Sequence, residues 1–112
     1  MTIAALYNVP SNPQEFAAWS FAHQAHHVDL AAQMLKQANV VIPGYILDPF
    51  NPADVGVWCY QHQILHDQIS STLRTENFDL IDVSFTNPDQ LASWIWLNAN
   101  LHQQAGDILG VA

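Results

Sequence analysis

Apolar residues return every three to four positions along three stretches of this chain, and each stretch opens on the same dipeptide. Phe16, Trp19, Leu30 and Met34 follow Asn12-Pro13. Val55, Trp58, Leu65, Ile69 and Leu73 follow Asn51-Pro52, and Leu91, Trp94, Ile95, Ala105 and Leu109 follow Asn87-Pro88. That period predicts an amphipathic helix in each stretch. Asn is a preferred N-cap, and Pro suits the first helical position because its missing N–H is one that a helix start leaves unpaired anyway. Helices are expected over about 13–38, 52–76 and 88–109, with a capping-box-like start at Asn12 and Glu15 and stops at Asn39 and Gly110.

The segments between them read differently. Residues 1–11 form a charge-free apolar arm, expected to be extended. Residues 39–50, NVVIPGYILDPF, combine β-branched residues with Pro-Gly and Asp-Pro, which predicts an ordered extended loop with Val41, Ile42, Tyr45, Ile46 and Phe50 against the helices. Residues 77–86, NFDLIDVSFT, alternate apolar and polar positions and predict a short strand. The expected fold is all-α: one domain over 1–112, a three-helix bundle with an ordered extended loop and an apolar N-terminal arm.

Polar residues interrupt the apolar stripes at matching places. Each helix carries N-P-x5-W-x3-[H/N]-x3-H: Trp19, His23 and His27; Trp58, His62 and His66; Trp94, Asn98 and His102. Residues four apart share a helical face, so these side chains lie on the core stripe. They also fall near the middle of each helix, where they stay level even if the middle helix runs antiparallel. His23, His27, His62, His66, Asn98 and His102 are therefore expected to form one buried polar layer. His26 lies off the stripe beside Asp29 and Gln33 and is expected to be solvated. Trp96 and Tyr60 are also off-stripe, as exposed large aromatics at a partner interface would be.

Three chemistries compete for the layer. Neutral imidazoles each donate and accept, so the layer can satisfy itself as a hydrogen-bonded network that fixes helix register; this structural reading is preferred. Paired histidines at i, i+4 can instead chelate a transition metal such as zinc, with His23, His27, His62, His66 and His102 as ligands. No carboxylate stands in ligand register, and the only Glu residues are Glu15 and Glu76, so a ferritin-like di-iron site is disfavoured. Acid–base catalysis by a buried His is the third possibility, but no evident triad accompanies it. The chain is therefore read as a non-enzyme without a cofactor, with metal binding as the alternative. Cys59 is the single cysteine, so neither an internal disulfide nor a Cys-based zinc motif exists, and it falls on the apolar side of its helix.

Composition narrows the partners. Lys36 and Arg74 are the only strong cations in 112 residues, against ten carboxylates, for a net charge of −8. Nucleic acids and anionic membrane surfaces both require Lys and Arg, so neither is expected as a partner. No run of about 18 apolar residues is present to span a membrane, and the start, MTIAALYNVP, lacks the basic region of a signal peptide. Only 11% of residues are charged, against 50% hydrophobic. About 25% charged is usual, and so low a value suits a subunit covered by neighbours, as a homo-oligomer or within a larger assembly.

The phrases FAHQAHHVDL, ILDPFNP, WCYQHQILH and NPDQLASWIWLNANLHQQAGDILG together resemble small helical proteins encoded by tailed bacteriophages, over about residues 7–110. The resemblance implies a structural or interaction subunit of the phage particle, in head, neck or tail. It would be made in the host cytoplasm, located in the virion, and partnered by itself or other virion proteins. It implies nothing about metal.

Overall fold

The computed structural model describes residues 3–38, 51–75 and 88–111. They form a short 3-10 helix, η1 (Ile3–Tyr7), and the helices α1 (Pro13–Ala38), α2 (Pro52–Leu73) and α3 (Pro88–Leu109), packed as an all-α three-helix bundle. The loop expected over 39–50, the strand expected over 77–86 and the cap expected at Asn87 lie outside the described residues. None of the helices among the described residues is long and apolar enough to cross a membrane.

The helix starts follow the expected chemistry. Asn51 has extended backbone (φ −111°, ψ 107°) and its side-chain oxygen accepts from the Ala53 and Asp54 N–H groups. Asn12 accepts from Glu15 N–H at 2.9 Å, while the Glu15 carboxylate reaches back to the Ser11 N–H and hydroxyl. This is a capping box displaced by one residue, with the Ser before the cap taking the reciprocal bond. At the other end, α2 stops at Leu73 rather than continuing to Glu76. Arg74 turns into the left-handed region (φ 56°, ψ 39°), and the Arg74 and Thr75 N–H groups both donate to the Ser70 carbonyl. α3 closes similarly on Gly110 (φ 74°), with Val111 N–H donating to the Gly106 carbonyl at 2.8 Å. That turn folds so tightly that a Cβ on Gly106 would lie 2.6 Å from the Val111 carbonyl oxygen.

All three helices point the same way. Phe16, Trp19, Trp58, Leu91, Trp94 and Ile95, from the N-terminal parts of the helices, share one cluster. Leu30, Met34, Leu65, Ile69, Ala105 and Leu109, from the C-terminal parts, share another. An antiparallel α2 would place Trp58 among the second group; instead its ring lies 6.1 Å from Trp19 and 5.8 Å from Trp94. The sequence repeat is thereby a spatial one, with equivalent positions meeting level by level around a common axis.

The N-terminal arm departs from expectation. Rather than extended, it is helical over Ile3–Tyr7 and docked, with Leu6 buried against Ala22 and Ala99. The Trp19 indole N–H donates to the Leu6 carbonyl at 3.0 Å. The arm is core, because the small residues Ala22 and Ala99 leave a seam between α1 and α3 that Leu6 fills.

Two outcomes follow for stability. Arg74→Gly should stabilise by about 1 kcal/mol by relieving Cβ strain in the left-handed region, and Gly110→Ala should destabilise by a similar amount. Denaturant midpoints of the two variants should therefore move in opposite directions. Leu6→Ala should cost about 2–5 kcal/mol as a buried truncation, whereas an arm that served only association would leave the midpoint unchanged.

Candidate functional site

Between the tryptophan cluster and the aliphatic cluster lie two polar levels, each built from equivalent positions of the three helices. The first holds His23, His62 and Asn98; the second, one turn further on, holds His27, His66 and His102. None of these six side chains is more than 3% exposed. The rings are held by what lies above them. Trp19 stacks on His23 (4.9 Å between ring centres, 22° between planes) and Trp58 on His62 (4.5 Å, 13°).

In the first level, His23 Nε2–H donates to Asn98 Oδ1 at 2.9 Å and lies 2.8 Å from His62 Nε2. Asn98 Nδ2 approaches the same His62 nitrogen at 3.4 Å. His62 Nε2 is then an acceptor, and the ring proton sits on Nδ1, which has no partner among the described residues.

In the second level, His66 Nε2 lies 3.4 Å from His27 Nε2 and 3.2 Å from His102 Nε2. The neutral rings cannot satisfy one another here. If His66 carries its proton on Nε2, His27 must accept and its own proton moves to Nδ1, which has no partner; if not, the proton sits on His66 Nδ1, which has none either. Among the described residues one buried N–H is left without an acceptor in every arrangement, at a cost of about 1–3 kcal/mol.

The same convergence suits an ion. One ligand nitrogen from each of His23, His27, His62, His66 and His102 lies within 4.8 Å of every other. Three nitrogens held about 2.0–2.1 Å from one ion in tetrahedral directions stand about 3.3–3.4 Å apart, and the second level shows 3.2 and 3.4 Å. An ion bound at Nε2 leaves each ring N–H on Nδ1. For His102 that group has a partner, His26 Nδ1 at 2.6 Å, the outer contact that usually orients a metal-bound imidazole.

His26 is thus a correction to the sequence reading. It is 2% exposed, not solvated. A helix in a three-helix bundle faces two neighbours, so its buried face is wider than the axial stripe. Ala22 and His26, one turn apart beside that stripe, face α3, where Ala99 and His102 meet them. Cys59 is partly buried against the tryptophan cluster and is outside the group of converging ligands.

Burial holds every ring neutral. Desolvation, reinforced by neighbouring imidazoles, pushes His23, His62, His66 and His102 well below their ordinary 6.5. His27 is lowered to about 3, and His26 is lowered by desolvation with Asp29 opposing it. Neutral imidazole is the form that binds metal.

Fold and site together define a helical bundle with a buried histidine cluster. Comparisons with protein-family models, with curated proteins and with solved structures return no match for this chain.

Acid should unfold the metal-free protein. The folded rings stay neutral while the unfolded chain takes up protons below about pH 6.5, so the contribution is intact above that value and lost as pH falls toward the folded values. Each ring kept neutral loses roughly 2 kcal/mol by pH 5. Circular dichroism is expected to show cooperative unfolding between about pH 6 and 4, moved to lower pH by His66→Phe and by His26→Phe. A melting temperature that stays flat from pH 7 to 5 would contradict neutral buried rings.

Proposed function

We propose that the protein is a metal-binding helical bundle whose ion lies on the bundle axis, held by His27, His66 and His102, with His23 and His62 in reach of the same ion. The observation that carries this reading is the convergence of the second level, where His66 Nε2 stands 3.4 Å from His27 Nε2 and 3.2 Å from His102 Nε2, spacings that suit ligands on one ion. The donor set favours a late first-row ion such as zinc, copper, nickel or iron, and disfavours calcium, magnesium and manganese, which need oxygen ligands. Tryptophans on one side and Leu30, Met34, Leu65 and Ile69 on the other seal the site. Such a setting suits a held ion better than a hydrolytic centre, which keeps a position open to water.

Elemental analysis of protein purified without added metal should find about one late first-row ion per chain. A chelator at neutral pH should lower the melting temperature by at least about 10 °C, and metal should restore it, because an ion bound only to the folded state stabilises it by mass action. No stoichiometric metal and no chelator effect would leave the cluster a purely structural layer.

A second reading concerns the outside of the bundle. Phe21 (71% exposed), Tyr60 (70%) and Trp96 (55%) project large aromatic surfaces from three different helices of a charge-poor protein. They support the proposal that the bundle is a subunit of an assembly, and the resemblance to tailed-phage proteins makes the virion the assembly to test. Mass spectrometry of purified particles should find the chain in multiple copies. Absence from particles, together with a monomer at high concentration in light scattering, would remove this reading.

A further inference from the structure

We propose that the ion this site selects is copper, held as Cu(I); the inference rests on the metal-binding reading above. All five converging ligands are neutral imidazoles. Among the described residues no carboxylate or thiolate belongs to the group, and the Asn98 amide and the His26 ring are hydrogen-bonded to it. An ion placed here keeps its whole charge. The surroundings make that charge matter: indole rings close one side, aliphatic side chains the other, and the ligands themselves are at most 3% exposed. The penalty for burying an ion rises with the square of its charge, so a divalent ion bears about four times the burden of a monovalent one of similar size.

Among ions that imidazole binds well, copper is the one with a stable monovalent state. Cu(I) has a filled d shell and accepts three ligands in a plane or four in a tetrahedron. Ligands at about 2.0 Å stand about 3.5 Å apart in the first case and about 3.3 Å in the second, and the second level offers 3.2 and 3.4 Å. Zinc would bring two charges into the same surroundings.

The test uses the full metal-free chain under anaerobic conditions. It is titrated with Cu(I) against a colorimetric Cu(I) chelator and, separately, with Zn(II) against a zinc chelator. Trp fluorescence reports occupancy, since Trp19 and Trp58 stack on His23 and His62. One Cu(I) per chain is expected, bound at least 100-fold more tightly than Zn(II). Asn98→Asp places one negative charge beside the ligands and should narrow that ratio at least tenfold. Zn(II) binding as tightly as Cu(I) would overturn the copper inference while leaving the metal centre in place. Neither metal binding would remove both. A folded Asn98→Asp variant with an unchanged ratio would overturn the charge argument, and if that variant does not fold, the wild-type comparison still decides.

Discussion

Helices that each begin on a proline and run in the same direction bring their equivalent positions to the same height, and this parallel register is the constraint on which the rest of the molecule depends. It collects Trp19, Trp58 and Trp94 into one cluster, then two levels of imidazole and amide, then an aliphatic cluster. Reversing α2 alone would exchange Trp58 for Ile69 and put an aliphatic side chain beside two tryptophans. The levels would lose their threefold character, and the imidazoles would meet as unlike neighbours.

The register also explains why the buried layer is an uneasy network of hydrogen bonds. Three identical groups around an axis present three identical nitrogens to one point, and a single proton can serve only some of them. Asn98, where the other helices carry His23 and His62, settles the Nε2 contacts of the first level, because an amide offers a donor and an acceptor side by side, and leaves the His62 Nδ1–H without a partner among the described residues. The second level has no such substitution. The proposed ion on the axis would take every Nε2 lone pair of this level at once, with the ring protons moved to Nδ1.

Much of this was legible in residues. The Asn-Pro starts, the apolar stripes and the burial of all six layer residues follow from periodicity and capping, which act locally. What was missed depends on tertiary context. His26 lies off the axial stripe, yet the α1–α3 seam buries it; the Ala22–His26 spacing beside Ala99 and His102 could have suggested a second contact face. The arm looked extended because nothing in its eleven residues reveals that Ala22 and Ala99 open a slot for Leu6. Arg74 ends α2 early in a left-handed turn that residue propensity does not favour. Direction left a trace that could have been used: connections as long as residues 39–51 and 74–87 suit parallel neighbours, where short ones suit antiparallel pairs.

In the proposed metal centre one ion is shared across three helices at a single level, rather than chelated by a His pair along one helix. Long-range proton–nitrogen NMR of the imidazole rings, recorded on metal-free protein and after one equivalent of a diamagnetic ion such as Cu(I) or Zn(II), tests it most directly. His27, His66 and His102 are expected to respond together, each bound through Nε2 with its proton on Nδ1. A response confined to the two histidines of one helix, His62 and His66 for example, would contradict it.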